Sequence, residues 1–149
     1  MDGGLMTLKI RSSCLEAVRA EAEARYPDEC CGLLLGLDDG EKGARLAKAL
    51  SPADNLWEDD NRRRRFKITS EDFLLAEKLA EEKGLEVIGV YHSHPGHPPE
   101  PSDYDLSQAW PFYSYLIVGS GETRKLPPKS FRLAPDRSAF LPEELQIES

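Results

Sequence analysis

The histidine pair His92 and His94, followed eleven residues later by Asp105, has the composition and spacing of a metal site. Two imidazoles and one carboxylate can hold a zinc ion at three positions and leave a fourth position for water. Water in such a position ionises near neutral pH and becomes a nucleophile. The residue types therefore predict a catalytic metal site rather than a structural one.

A buried strand is expected to position the two histidines. The run of residues 85–91 is apolar and rich in β-branched side chains, and His92 and His94 follow at its end. Because side chains at i and i+2 of a strand point to the same face, the two imidazoles should emerge together and converge on one ion.

A loop and a helix are expected to return the carboxylate to the histidines. Residues 96–101 include three prolines and cannot form a helix or a central strand. Ser102 is the expected N-cap of a helix over 103–110. Asp105 then lies in its first turn, where it can face the histidines.

Each motif alone has an ordinary structural explanation. A single histidine at a strand end is usually a surface or core residue, and Ser102-x-x-Asp105 alone is typical of helix capping. The combination at this spacing is what favours a metal site. His97 lies in the loop and is expected to be exposed or a secondary contact, not a fourth ligand.

Other metal chemistries fit the sequence less well. A zinc deaminase needs H-x-E and P-C-x-x-C, but Ser93 separates these histidines and Cys30 and Cys31 are adjacent. The H-E-x-x-H motif of zincins is absent. A non-haem iron site also uses two histidines and one carboxylate, although nothing in the sequence favours it.

Two motifs together resemble one enzyme family. The run His92-Ser93-His94-Pro95, with Ser102 and Asp105, fits the pattern H-x-H-P-x(6)-S-x-x-D, and Glu29-Cys30-Cys31-Gly32 fits an upstream E-x-C-G context. These residues resemble the JAMM/MPN+ metallopeptidases of the Mov34/MPN/PAD-1 group. The resemblance extends from about Leu8 to Leu133, and the chain looks like the small standalone prokaryotic type.

The resemblance implies a role for each site residue. His92, His94 and Asp105 would hold one zinc ion per chain. Glu29 would act as general base and then as general acid, and Ser102 would donate a hydrogen bond to the oxyanion. Only the resemblance links Glu29 to the histidines, since 63 residues separate it from His92.

The resemblance also implies a substrate. The family hydrolyses peptide or isopeptide bonds after the Gly-Gly tail of ubiquitin or a ubiquitin-like protein, and its small prokaryotic members are associated with sulfur-carrier proteins. We therefore expect a sulfur carrier as the substrate. A broader deubiquitinase-like deconjugase and a non-catalytic MPN scaffold are the alternatives.

Length and pattern predict one α/β domain over residues 1–149, and the resemblance implies that its mixed sheet is flanked by helices. The resemblance implies a cytidine-deaminase-like MPN/JAMM fold. The expected elements are strands near 8–10, 31–36, 44–50, 113–119 and 130–133, the last paired with 139–141. Helices are expected from a Ser13/Glu16 capping box to Arg25 and from a Thr69 or Ser70 cap to Gly84, with an acidic tail over 142–149.

Composition excludes several partners and predicts a location. The net charge of −8 argues against general nucleic-acid binding, and apolar stretches are too short for a membrane span or a signal peptide. Three cysteines, two of them adjacent, are typical of reduced thiols in a cytoplasmic protein. The sequence predicts no particular oligomeric state.

The polar loop over 51–67 allows two interpretations. Its charges are either simply solvated, or the loop borders the cleft and contacts the substrate. In the second interpretation Asn55 and Trp57 contact the substrate tail, and Arg62, Arg63, Arg64 and Arg65 steer an acidic partner.

Overall fold

A computed structural model describes residues 6–39, 43–55 and 66–149 of the chain. Within these residues the strands are β1 Thr7–Arg11, β2 Cys31–Asp39, β3 Ala44–Ala53, β4 Glu86–Pro95, β5 Ser114–Ser120, β6 Lys129–Leu133 and β7 Phe140–Glu148. The helices are α1 Ser12–Arg25, α2 Ser70–Glu82 and α3 Asp103–Gln108. The expected mixed α/β class is confirmed.

The seven strands form one closed sheet in the order β1-β3-β2-β4-β5-β6-β7. β7 closes the sheet by pairing in parallel with β1, and β4 also runs parallel to β5. β4 therefore has neighbours on both sides. His92 of β4 lies opposite Cys31 of β2 on one side and opposite Ile117 of β5 on the other. This central position holds the backbone of both histidines in hydrogen-bonded ladders.

Strand β7 corrects the acidic tail expected over residues 142–149. Glu143 is buried in this strand and accepts hydrogen bonds from Ser130 Oγ and Arg132 Nε, both at 2.6 Å. The expected pairing of the last two strands is confirmed, from Ser130 opposite Glu143 to Leu133 opposite Phe140. An acidic composition was a misleading signal here because one of the acids is paired inside the sheet.

The two faces of the sheet pack into separate apolar clusters. Leu34 of β2 belongs to the cluster that contains Val18 of α1, whereas its neighbours Leu33 and Leu35 belong to the cluster that contains Ala76 of α2. This alternation follows from the period of two along a strand. Side chains on opposite faces of β2 therefore pack in clusters with different helices.

Local capping motifs predict the start of α2 correctly but not the start of α1. Thr69 caps α2 and accepts from Asp72 N at 3.1 Å, while Asp72 accepts from Thr69 N at 2.8 Å, so the Thr69 cap is confirmed. The Ser13/Glu16 box is wrong: α1 begins at Ser12, directly after β1, and Arg11 at its N-cap makes no side-chain cap bond. None of the described helices is long and apolar enough to cross a membrane.

Candidate metal centre

Three ligand atoms meet in the site that the sequence predicts. His92 Nε2 lies 3.1 Å from His94 Nε2 and 3.2 Å from Asp105 Oδ2, and His94 Nε2 lies 3.1 Å from the same Asp105 oxygen. All three side chains are buried. A nearly equilateral triangle of two imidazole nitrogens and one carboxylate oxygen is able to hold a metal ion.

Two neighbouring elements build this triangle. The histidines share one face at the end of β4, as the period of the strand requires. Asp105 lies in the first turn of α3, where Ser102 is the N-cap. Asp105 Oδ2 accepts from Ser102 N at 2.9 Å, and Ser102 Oγ accepts from Asp105 N at 3.0 Å. The capping box thus also aims the carboxylate at the histidines.

The surroundings of the two imidazoles fix their orientation. His94 Nδ1 donates to the Pro98 carbonyl at 3.0 Å, which leaves Nε2 with the lone pair that a metal needs. The His92 ring stacks on Phe66, with ring centroids 4.3 Å apart. His92 Nδ1 is buried without a hydrogen-bond partner among the residues that the structure describes.

Burial and charge set the protonation of the ligand groups. Burial lowers the pKa of His92, which favours the neutral imidazole. Burial alone would raise the pKa of Asp105. The two histidines and the Ser102 N–H outweigh this effect and hold the pKa of that carboxyl well below its usual range. Neutral histidine and ionised aspartate are the forms that bind metals.

Glu29 lies buried close to this centre, in the segment between α1 and β2. Burial, reinforced by repulsion from Asp105, raises the pKa of Glu29 to about 9. Its Oε1 atom has no hydrogen-bond partner in the part of the chain that the structure describes. A bound divalent cation would oppose the effect of Asp105 and favour the carboxylate form of Glu29.

An aromatic cavity opens beside the ligands. His92 and Asp105 form part of its wall, together with Phe66, Phe73 and Trp110. The Phe73 and Trp110 rings stack with centroids 4.2 Å apart. An apolar group can therefore lie next to the metal centre.

The remaining expected site residues are placed as follows. Ser102 lies at the exposed edge of the centre, and His97 is exposed with only its backbone near His94. Asn55 is buried, and its amide donates to the Glu29 carbonyl at 3.3 Å. Trp57 and the run Arg62, Arg63, Arg64 and Arg65 lie outside the described residues.

Sequence reasoning missed the contacts of Ser93. This residue is fully buried, and its hydroxyl accepts from Cys30 N at 2.8 Å. The alternation of β4 predicts that Ser93 points away from the face that carries the histidines. No local signal identifies its partner, which lies 63 residues earlier.

Comparison with known proteins identifies the class. Residues 11–134 match the family described as prokaryotic homologs of the JAB domain. The chain therefore belongs to this family, and the resemblance to the small prokaryotic JAMM/MPN proteins is confirmed. It is a JAMM-type hydrolase with a metal-binding His-His-Asp triad.

Three similar proteins illustrate the membership. The desampylase of Haloferax volcanii is 35% identical over 108 residues, which cover 72% of this chain and 73% of that protein. The CysO-cysteine peptidase of Mycobacterium tuberculosis is 25% identical over 132 residues, covering 88% and 86%. The solution structure of a Desulfitobacterium hafniense protein has a TM-score of 0.81 and 30% identity, covering 95% of this chain and 93% of that one.

Proposed function

We propose that this protein is a zinc-dependent metallopeptidase that hydrolyses the bond after the Gly-Gly tail of a ubiquitin-like protein, with a small sulfur carrier as the substrate. The observation that carries this proposal is the ligand triangle beside the buried carboxyl of Glu29. The triangle supplies a metal site, and the carboxyl supplies a group that can move a proton next to it.

The dimensions of the triangle support zinc as its metal. Bonds of about 2.0–2.1 Å in a tetrahedral site separate neighbouring ligand atoms by about 3.3 Å. The three edges of 3.1–3.2 Å are close to that value. When bound, zinc polarises a carbonyl group and lowers the pKa of water towards about 7.

Two side chains would carry out the proton and charge steps. Glu29 takes a proton from the attacking water and later returns it to the leaving amine. Ser102 uses its hydroxyl oxygen to accept from Asp105 N, so its hydrogen can be donated to the oxyanion that forms on the substrate. The capping role and the catalytic role of Ser102 are therefore compatible.

Replacing Ser102 with alanine is expected to lower kcat by about 10²–10³-fold, because one oxyanion donor is lost. The change also removes an N-cap, at a cost of about 1 kcal/mol in stability. Thr69→Ala is the matched control, since it removes the equivalent cap from α2. Steady-state kinetics and denaturant unfolding on both variants separate the two effects. Equal kcat values in the two variants would remove Ser102 from the mechanism.

The cavity and the relatives support the choice of substrate. An aromatic wall that ends at the metal ligands suits an extended tail lying on its way to the scissile bond. Two relatives are named desampylase and CysO-cysteine peptidase, which favours a ubiquitin-like or sulfur-carrier protein as the partner. The substrate contacts expected of Trp57 and of Arg62–Arg65 remain part of this proposal.

The substrate proposal is tested with ubiquitin-like sulfur-carrier fusions that carry one residue or a short peptide after Gly-Gly. The zinc-loaded protein is expected to release that extension, and mass spectrometry should place the cut after the second glycine. A fusion with Ala-Ala in place of Gly-Gly is the control. Equal cleavage of both fusions, or cleavage of neither, would contradict the proposed specificity.

The desampylase relative favours a second candidate, a deconjugase that acts on broader protein targets. An isopeptide-linked conjugate tests it beside the linear fusions. Preferred cleavage of the isopeptide bond would select the deconjugase.

The described cysteines Cys14, Cys30 and Cys31 are all free thiols, which supports a cytoplasmic location as part of the proposal.

A further inference from the structure

The backbone around Glu29 is held from both sides by buried side chains. Asn55 Nδ2 donates to the Glu29 carbonyl at 3.3 Å. On the other side, Ser93 Oγ accepts from Cys30 N at 2.8 Å, and Ser93 N donates to Cys30 O at 3.1 Å. The residues Ser93 and Asn55 are 0% and 3% exposed.

These contacts replace the support that a sheet would give. The ladder between β2 and β4 ends at Cys31 opposite His92, so Glu29 lies two residues beyond it. Its Oε1 atom has no hydrogen-bond partner within the described residues. The direction of the carboxyl therefore depends largely on how the backbone of Glu29 and Cys30 is fixed.

Ser93 connects this segment to the metal ligands directly. It stands between His92 and His94 on β4, so one short stretch of strand carries two ligands and anchors the Glu29 segment. A shift of the ligands and a shift of Glu29 are thereby coupled. A catalytic group must be held within about 0.5 Å of its productive position.

We propose that Ser93 and Asn55 are positioning residues, which fix the carboxyl of Glu29 relative to the metal ligands by clamping the backbone of Glu29 and Cys30. This inference rests on the proposed function, because it assigns the proton transfer to Glu29. It also gives Asn55 a different task from the substrate contact expected of it, since its buried amide is engaged with the Glu29 carbonyl.

The first test uses Ser93→Ala and the nearly isosteric Asn55→Asp, whose carboxylate cannot donate to the Glu29 carbonyl. Each is expected to lower kcat by about 10–100-fold on the Gly-Gly fusion, because a misplacement of about 1 Å has an effect of that order. KM should stay within about twofold, and zinc should stay at one per chain. Ser93→Thr keeps the hydroxyl and is expected to recover most of the lost kcat.

A double-mutant cycle separates positioning from general loosening of the fold. In the Glu29→Gln background, single-turnover rates should be the same with and without Ser93→Ala, because the clamp then has no base to position. Ser130→Ala removes another buried serine hydrogen bond, to Glu143, and is the control for stability loss alone.

Three results would overturn the inference. The first is an unchanged kcat in both Ser93→Ala and Asn55→Asp. The second is an equal loss of rate on Ser93→Ala in the wild-type and Glu29→Gln backgrounds. The third is loss of zinc in either variant. If Ser93→Ala does not fold, Asn55→Asp carries the same cycle. An inactive wild-type chain would instead contradict the proposed function, so the two failures are distinguishable.

Discussion

The Glu29→Gln chain is expected to bind one zinc ion and to lose about 10²–10⁴-fold in kcat, the range typical of a lost general base. Glutamine has nearly the same shape but cannot accept the proton of the attacking water. KM should change little, because Glu29 is not a metal ligand. The comparison of kcat with zinc content in wild type and variant provides the measurement.

Stability provides an internal control for this loss. The pKa of Glu29 is raised to about 9 in the metal-free chain, so its folded state resists ionisation. Between pH 4.5, near the pKa of this group in the unfolded chain, and about pH 9, the carboxyl is ionised in the unfolded chain but protonated in the folded chain. The free energy of unfolding of the wild type therefore falls as pH rises through this range.

Glutamine removes this penalty. The metal-free Glu29→Gln chain should be more stable than wild type at pH 7.5, by about 2–4 kcal/mol, and the difference should shrink towards pH 5. Urea unfolding with chelator at several pH values checks it. Full activity in the variant would remove Glu29 from the proton steps, and a pH-independent difference would contradict its perturbed titration.

The Asp105→Ala chain is expected to lose its zinc and, with it, all measurable cleavage. Only two ligands remain after the change, and His92 and His94 keep no carboxylate to balance the charge of the ion. Elemental analysis after dialysis should give about one zinc per wild-type chain and well below a tenth of that in the variant.

Asp103→Ala is the matched control for this experiment. Asp103 lies in the same first turn of α3, is exposed, and carries the same charge. It should keep both zinc and activity. Zinc retained at one per chain in Asp105→Ala would place the metal elsewhere, and zinc lost from both variants would point to damage of the helix.

The metal centre is predictable from sequence because its signals are local. His92, His94, Ser102 and Asp105 lie within 14 residues, and the strand period and the capping box each constrain direction over a few residues. The structure then shows that one carboxylate serves both as cap partner and as the oxygen of the triangle.

The contacts that surround Glu29 are not predictable in this way. Ser93 meets Cys30, and Asn55 meets Glu29, only after the sheet has brought distant segments together. A buried serine or asparagine has no periodic signature of its own. Family resemblance implies the role that is proposed for Glu29, whereas the side chains that hold its backbone require the structure.

The closure of the sheet and the start of α1 are also not predictable from local sequence patterns. β7 pairs with β1 across almost the whole chain, and its buried Glu143 depends on Arg132 for compensation. At α1, the strand β1 runs straight into the helix at Ser12, so a separate capping turn at Ser13 has no room to form. Tertiary context overrides the local pattern in both cases.

A zinc titration of the metal-free chain tests the central claim most directly. Zinc is removed with a chelator, added back in steps, and the rate of Gly-Gly fusion cleavage is recorded at each step. We expect no cleavage without metal and a linear rise that saturates at one equivalent per chain. Cleavage by the metal-free chain, or none at full zinc loading, would contradict a zinc-dependent peptidase built on His92, His94 and Asp105.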